Sequence, residues 1–147
     1  FVEPGRSLVG NAGILVTRVI FDKQGLARRF VIVDAAMNDL LRPSLYGAWQ
    51  EIQAVKPRAG NAETWDIVGP VCETGDFLGK DRELVLKQGD LLAVMGAGAY
   101  GFSMASNYNS RPRPTEVLIK DNTVHIIGRR ESITDLWRSE EVPPEIA

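Results

Sequence analysis

The segment ILVTRVIFDKQGLARRFVIV, residues 14–33, decides the fold class of this chain. Residues 14–21 are rich in β-branched side chains, and Asp22-Lys23-Gln24-Gly25 has the composition of a turn. A second β-branched run, residues 29–33, follows at the separation typical of a hairpin. The segment therefore predicts two antiparallel strands.

Shorter runs of the same kind follow along the chain and extend the β pattern. Further strands are predicted over residues 51–55, 64–71, 83–86 and 91–95, and a second hairpin is predicted over residues 115–127 around Asp121-Asn122. Residues 35–41 lack β-branched side chains and read as a short helix stopped by Pro43. Six to eight short strands with two brief helical insertions predict a mainly β single domain, a barrel or sandwich, over residues 1–147. The polar tail from Ser139 onward is expected to fray.

Charge and the counts of cysteine and histidine exclude several classes of function. The chain has 147 residues, with 17 basic and 19 acidic side chains, and so lacks the basic excess of a general nucleic-acid binder. Its longest nearly apolar run, residues 91–99, is about half as long as a membrane-spanning helix requires. Cys72 is the only cysteine and His125 the only histidine. A disulfide framework and a multi-histidine metal site are excluded, and a reducing, cytoplasmic setting is expected.

Four segments carry polar residues that a plain β domain does not need. They are Glu3-Pro4-Gly5-Arg6, Arg42-Pro43-Ser44-Leu45-Tyr46, Cys72-Glu73-Thr74-Gly75-Asp76 and Gly96-Ala97-Gly98-Ala99-Tyr100-Gly101. Each has a plain structural alternative. Glu3 and Arg6 could form a surface ion pair, Arg42 could bind the last carbonyls of the preceding helix, and Cys72 could be a small buried apolar residue.

The glycine-rich segment has the spacing of a dinucleotide-binding fingerprint, GxGxxG after an apolar strand. That fingerprint requires a long helix next, and prolines at 112 and 114 break any helix within about two turns. We therefore reject the dinucleotide interpretation. The glycines instead predict a close backbone approach to a ligand or another chain, with Tyr100 pointing into the gap.

Taken together and in order, the four segments resemble the C-terminal part of the fold-type III decarboxylases that depend on pyridoxal 5'-phosphate. Glu3-Pro4-Gly5-Arg6 is common to that whole group, whereas DAAMNDLLRPSLY, residues 34–46, is similar to the branch that acts on meso-2,6-diaminopimelate. The resemblance covers residues 3–115. It implies a C-terminal β domain of the alanine racemase and ornithine decarboxylase type. An N-terminal α/β barrel with the Schiff-base lysine is missing from this chain, which opens on Phe1 without a methionine and is expected to be a fragment.

The resemblance also implies a role for each matched residue. Glu3 faces the pyridine nitrogen of the cofactor, Pro4 and Gly5 belong to the same cofactor-binding segment, and Arg6 and Tyr100 bind the phosphate and lie near the substrate. Arg42 and Tyr46 bind the carboxylate that the substrate keeps, and Glu73 binds its distal ammonium. Cys72 donates the proton that replaces CO2. In this family the Cys-Glu segment reaches into the neighbouring subunit, which implies a homodimer with shared sites.

Two other functions stay open on the sequence. One is decarboxylation of ornithine, arginine or a carboxylated polyamine, which Arg42 and Tyr46 argue against because such products keep no carboxylate for them to bind. The other is a stand-alone β-barrel binding module without chemistry. The preferred interpretation is conversion of meso-2,6-diaminopimelate to L-lysine and CO2, with the isolated chain inactive. The expected partners are a small amino-acid substrate and the barrel, with no nucleic acid, membrane or metal.

Overall fold

The computed structural model describes residues 1–146; Ala147, the last residue of the predicted frayed tail, lies outside the described residues. The chain divides into two compact units, Phe1–Ala105 and the part from Ser106 onward. Each is described by itself below, and the assignment of residues 1–147 to a single domain stays a prediction. Among the described residues, no helix is long and apolar enough to cross a membrane.

The first unit is a strongly curved six-stranded sheet. Its strands are β1 (Leu15–Gln24), β2 (Arg29–Val33), β3 (Ile52–Ala54), β4 (Glu63–Val68), β5 (Phe77–Leu84) and β6 (Leu91–Val94), in the spatial order β3-β6-β1-β2-β4-β5. Strands β2 and β4 run parallel, and the other neighbours are antiparallel. The two edge strands, β3 and β5, contact each other, so the sheet closes into a nearly complete barrel. The predicted mainly β fold class is confirmed.

The barrel interior is filled by branched aliphatic side chains that alternate along the strands. On β1, Val19 is buried between exposed neighbours, and on β2 the buried Val31 and Val33 lie on either side of the half-buried Ile32. Because successive strand residues point to opposite faces, every second side chain points into the barrel. The core is completed by Leu40, Ile52, Trp65, Ile67, Leu78, Leu92 and Val94.

The first hairpin forms as predicted, but its turn lies further along the chain. Strand β1 continues through Gln24, with Asp22 paired to Val31 and Lys23 to Phe30. The chain turns after Gly25, whose N–H donates to the Arg28 carbonyl at 2.9 Å. Asp22 and Lys23 are therefore part of the paired strand. Their polar side chains lie at its exposed end and not in the turn.

The short helix predicted over residues 35–41 is wrong. Those residues form a turn, in which the Asp39 N–H donates to the Ala36 carbonyl and the Asp39 carboxylate accepts from the Ala36 N–H at 2.8 Å. The helix, α2 (Arg42–Tyr46), begins where the prediction ended it, with Pro43 in its first turn. Proline has no N–H to lose there and its φ is already helical, so it starts this helix. The other helix, α1 (Arg6–Val9), precedes a 3-10 turn at Gly10–Ala12.

Two strand boundaries also differ from the prediction around residues 69–76. Strand β4 ends at Val68, not at residue 71, and β5 begins at Phe77, not at residue 83. Val68 pairs with Phe77 and Ile67 with Gly79, so the segment between them is a loop that links two paired strands. This loop contains Cys72 and Glu73.

The second unit contains a two-stranded hairpin and short 3-10 turns. Strands β7 (Glu116–Lys120) and β8 (Thr123–Gly128) pair antiparallel around Asp121 and Asn122, as predicted. Both turn residues have positive φ, 49° and 65°, which matches the twist of a two-residue hairpin loop. The 3-10 turns of this unit are Tyr108–Ser110, Ile133–Trp137 and Pro144–Ile146.

Candidate functional site

The glycine-rich segment receives the N-terminal segment of the same chain. The Gly98 N–H donates to the Gly10 carbonyl at 3.1 Å, and the Ala97 N–H donates to the Gly13 carbonyl at 2.9 Å. A Cβ on Gly98 would stand 1.9 Å from the Val9 carbonyl oxygen, a distance that no side chain tolerates. A close backbone approach is therefore confirmed at Gly98, where the neighbour is this chain's own N-terminal segment. The approach to a ligand or another chain stays a prediction.

Tyr100 extends this contact to the Glu-Pro-Gly-Arg segment. Its side chain is half exposed, and its backbone has a φ of 57°, an uncommon conformation for a residue other than glycine. The phenol oxygen lies 3.4 Å from the position of a Cβ on Gly5, so the hydroxyl is in van der Waals contact with this segment. Glu3, Pro4 and Arg6 flank Gly5 and are exposed.

Arg42 lies against two aromatic rings at the start of α2. Its guanidinium carbon is 5.4 Å from the centre of the Tyr46 ring and 5.6 Å from that of Tyr100. Both distances fall within the range of cation–π attraction, which holds the guanidinium in place while leaving its N–H donors available. The alternative that Arg42 binds the last carbonyls of a helix is wrong, because Arg42 is the first residue of its helix.

Cys72 and Glu73 form the exposed tip of the loop between β4 and β5. Cys72 is a free and exposed thiol, so the alternative of a small buried apolar cysteine is wrong. The Glu73 N–H donates to the Val71 carbonyl at 2.8 Å, and the Asp76 N–H donates to the Glu73 carbonyl at 3.0 Å. These bonds fold residues 71–76 into a tight turn. Cys72 and Glu73 are both exposed, and the Glu73 carboxylate accepts from the Gly75 N–H at 3.5 Å.

Two residues without a role in the sequence analysis hold this loop in place. Asp76 is only 3% exposed, and its carboxylate accepts hydrogen bonds from the Val71 N–H and the Met37 N–H, each at 2.7 Å. The Ser44 hydroxyl donates to the carbonyls of Gly75 and Phe77. Asp76 and Ser44 both stand inside the motifs already singled out. The signal available in the sequence was an acid just after Glu73 and a hydroxyl between Arg42 and Tyr46.

The structure thus connects four of the predicted site residues, Gly5, Arg42, Tyr46 and Tyr100, through direct contacts. Gly5 contacts the Tyr100 hydroxyl, and the Arg42 guanidinium lies against the rings of both Tyr100 and Tyr46. Ser44, in the same helix as Arg42, donates a hydrogen bond to the loop that carries Cys72 and Glu73. We call this set of residues the rim; it consists of Gly5, Arg42, Ser44, Tyr46, Cys72, Glu73 and Tyr100. The rim carries a guanidinium, two phenols, a thiol and a carboxylate, and it is suited to binding an anionic ligand that also has an ammonium group.

Other charged groups of the first unit lie outside the rim. A cavity of about 580 Å³ at the β1–β2 turn is lined by Arg28, Asp66 and Asp81 among others, and no rim residue lines it. Arg82 is buried, its guanidinium carbon lies 3.1 Å from the centre of the Trp49 ring, and burial lowers its pKa. Within residues 1–146, no group of three or more His, Cys, Asp or Glu side chains is placed to hold a metal ion.

Comparison with known proteins defines the class to which this fold and rim correspond. Residues 8–98 match the family described as pyridoxal-dependent decarboxylase, C-terminal sheet domain. The chain belongs to this family, and the resemblance stated from its motifs is confirmed.

The individual relatives narrow the class further. The chain is 58% identical over 143 residues to the diaminopimelate decarboxylase of Vibrio cholerae, which covers 97% of the chain and 34% of that protein. It also matches the crystal structure of the diaminopimelate decarboxylase from M. jannaschii, with a TM-score of 0.95 and 43% identity over 99% of the chain and 33% of that structure. The Helicobacter pylori diaminopimelate decarboxylase complexed with L-lysine matches with a TM-score of 0.87 and 48% identity over 93% of the chain and 34% of that structure. The chain therefore spans about a third of the length of these relatives.

Proposed function

We propose that the protein to which this chain belongs decarboxylates meso-2,6-diaminopimelate to L-lysine, and that this chain is its C-terminal β part. The observation that carries the proposal is the 58% identity with the Vibrio cholerae diaminopimelate decarboxylase across nearly the whole chain. The placement of Arg42 between Tyr46 and Tyr100 supports it, because it provides an anion-binding group suited to a substrate that keeps a carboxylate.

The rim fits a phosphorylated cofactor on the chemistry of its donors. The Tyr100 side chain is half exposed, its hydroxyl contacts the segment at Gly5, and Arg6 stands one residue further on. Arg6 and Tyr100 would bind the phosphate of pyridoxal 5'-phosphate, and Glu3 would hold a proton at its pyridine nitrogen. When bound, this cofactor supplies an electron sink for the bond that breaks as CO2 leaves.

Substrate selection follows from the two charges that diaminopimelate carries at its distal end. Arg42 and Tyr46 bind the retained carboxylate, and Glu73 binds the distal ammonium. A site that pairs both charges rejects substrates that lack one of them, because its own polar groups would be left unpaired. Ornithine and arginine have no second carboxylate and leave Arg42 without a partner.

Cys72 donates the proton that replaces CO2 on the substrate carbon. A thiol is a suitable general acid here because it carries a proton that it can give to the carbon from which CO2 has left. Its exposure at the tip of the loop allows it to reach a substrate held outside its own barrel. We propose a cytoplasmic location, because a free catalytic thiol requires a reducing compartment.

The complete enzyme is proposed to be a homodimer with two shared sites. In this arrangement Arg42, Tyr46 and Tyr100 serve one site, and the Cys72-Glu73 tip of the same subunit serves the other. The missing N-terminal barrel supplies the lysine that holds the cofactor. The chain alone is therefore expected to release no CO2.

The test is CO2 release by the complete polypeptide with pyridoxal 5'-phosphate, using meso-diaminopimelate, L-ornithine and L-arginine as separate substrates. We expect release from diaminopimelate only. Release from ornithine or arginine instead would overturn the substrate assignment. No release from any of them by a folded, cofactor-loaded protein would show that the motifs serve another reaction.

A further inference from the structure

The Asp76 side chain, backbone N–H and carbonyl each form a hydrogen bond within the loop that carries Cys72 and Glu73. Its carboxylate accepts from the Val71 N–H, just before the tip, and its own N–H donates to the Glu73 carbonyl within the tip. Its carbonyl accepts from the Gly69 N–H at 3.2 Å, which joins the two ends of the loop. A Cβ on Gly69 would stand 2.4 Å from the Asp76 carboxylate, so the glycine makes room for this side chain.

The same carboxylate ties the loop to a second segment. It accepts from the Met37 N–H in the turn that leads into α2. Ser44 adds a tie from α2 itself, by donating to the carbonyls of Gly75 and Phe77. Ser44 lies between Arg42 and Tyr46 along the helix. The loop that carries the thiol and the carboxylate is therefore anchored at its base to α2 and to the turn before it.

We propose that Asp76 and Ser44 are positioning residues, which fix the Cys72-Glu73 tip on its own subunit so that the tip enters the neighbouring subunit's site in one orientation. The buried carboxylate supplies two strong charge-assisted hydrogen bonds to backbone N–H groups. Without it, the loop loses both of these bonds and depends on the backbone bonds of the turn and on the Ser44 hydroxyl. Proton donation and ammonium binding both depend on the placement of the tip, and a misplacement of about 1 Å can cost a hundredfold in rate.

The test is made on the complete polypeptide loaded with pyridoxal 5'-phosphate and rests on the proposed function. Asp76→Asn keeps the size of the side chain but replaces one acceptor oxygen with an NH2 group, so one N–H loses its partner. We expect kcat per bound cofactor to fall about tenfold and KM for diaminopimelate to rise. Ser44→Ala is a milder change and is expected to lower kcat and raise KM as well. If Asp76→Asn does not fold, the kinetic constants of Ser44→Ala provide the test.

Asp66→Asn is the matched control. Asp66 is also buried and accepts from a backbone N–H, that of Asp81, and from Arg28, but it lies outside the rim. It should lose stability while keeping kcat per bound cofactor and KM within about twofold of the wild type. Equal kinetic constants in wild type, Asp76→Asn and Ser44→Ala would overturn the proposal.

A second readout separates this proposal from the proposed function. The rate of Cys72 alkylation by iodoacetamide, followed by mass spectrometry of its peptide, reports the placement of the tip without any turnover. We expect Asp76→Asn to change this rate at least threefold and Asp66→Asn to leave it unchanged. If the wild type shows no decarboxylation, the proposed function fails and the alkylation rates alone decide the positioning role, an unchanged rate overturning it.

Discussion

At the scale of single residues, Glu131 shows how neighbouring donors set the charge of a carboxylate. It accepts hydrogen bonds from the side chain of Arg113, from the Arg113 backbone N–H at 2.8 Å and from the Asn107 amide at 2.6 Å. The Arg113 side chain is the largest cause that lowers the pKa of Glu131 from 4.5 to about 2, followed by the backbone N–H and then Asn107. Because all three donors favour the charged form, an ionised Glu131 joins Asn107 and Arg113 to the segment that follows β8.

The lowered pKa makes the stability of this unit depend on pH. The folded state binds the proton less tightly than the unfolded state, so the contribution of Glu131 is complete above about pH 4.5 and is lost as the pH falls towards about 2. We expect Glu131→Gln to lower the melting temperature at pH 7 and to have a much smaller effect near pH 2. The measurement is thermal unfolding followed by circular dichroism across this range. Glu141→Gln, at an exposed position in the tail, serves as control and should leave the profile unchanged. An equal loss at both pH values would contradict this account.

At the scale of elements, the rim depends on a chain segment and a loop that touch through their backbones. The N-terminal segment with Gly10 and Gly13 lies directly on the loop with Ala97 and Gly98, and two backbone hydrogen bonds join them. This contact brings Gly5 to the hydroxyl of Tyr100. The cofactor-binding residues proposed at positions 3–6 are thus placed by a packing contact that contains almost no side chains.

Gly98→Ala tests this contact directly. The new methyl group would stand 1.9 Å from the Val9 carbonyl oxygen, and neither backbone can yield without breaking the hydrogen bonds beside it. We expect a loss of about 3 kcal/mol in the free energy of unfolding, measured by urea denaturation, together with weaker cofactor binding. Gly47→Ala is the control. It adds a methyl group into open space at a φ of 60° and should cost only about 1 kcal/mol with cofactor binding unchanged. Similar losses in the two variants would argue against the steric account.

At the scale of the whole molecule, the proposed dimer divides each site between two subunits. Arg42, Tyr46 and Tyr100 are joined by direct contacts, whereas Cys72 and Glu73 project from a loop that is held by its base. An exposed tip of this kind can serve a neighbouring site while the residues beside it serve their own. Such a division predicts that two inactive variants can restore activity when they form a heterodimer.

Mixing two inactive variants of the complete enzyme should restore activity when their lesions fall in different halves of the site. Arg42→Ala and Cys72→Ala, co-expressed, form heterodimers in which one site carries both lesions and the other carries neither. We expect about a quarter of the wild-type CO2 release from a statistical mixture of such two-fold dimers. Arg42→Ala mixed with Tyr46→Ala is the control and should stay inactive, because both lesions lie in the same half. Absence of restoration in the first mixture would rule out shared sites.

Predictions from the sequence were correct where the local residue types are compatible with only one backbone structure. The β-branched runs of residues 14–33 predicted the β1–β2 pair, and Asp121-Asn122 predicted the second hairpin, because few other residue types accept two successive positive φ values. The order of the four motifs led to the correct family. The predictions failed where one residue suits two structures. Pro43 can follow a helix or begin one, and only its surroundings decide between the two.

The amino-acid sequence by itself determined the class of fold and the family and supplied the candidate site residues, since all three depend on side-chain types and their spacing. Only the tertiary structure decided that β2 and β4 run parallel, that Gly98 faces residues 9–13, and that Arg42 lies against both Tyr46 and Tyr100. It alone gave Asp76 its role at the base of the Cys72 loop. The reason is physical: the contacts of Gly98 with Val9, of Arg42 with Tyr100 and of Asp76 with Met37 join residues far apart in the chain, and their distances are set by the packing of the barrel and not by any local preference.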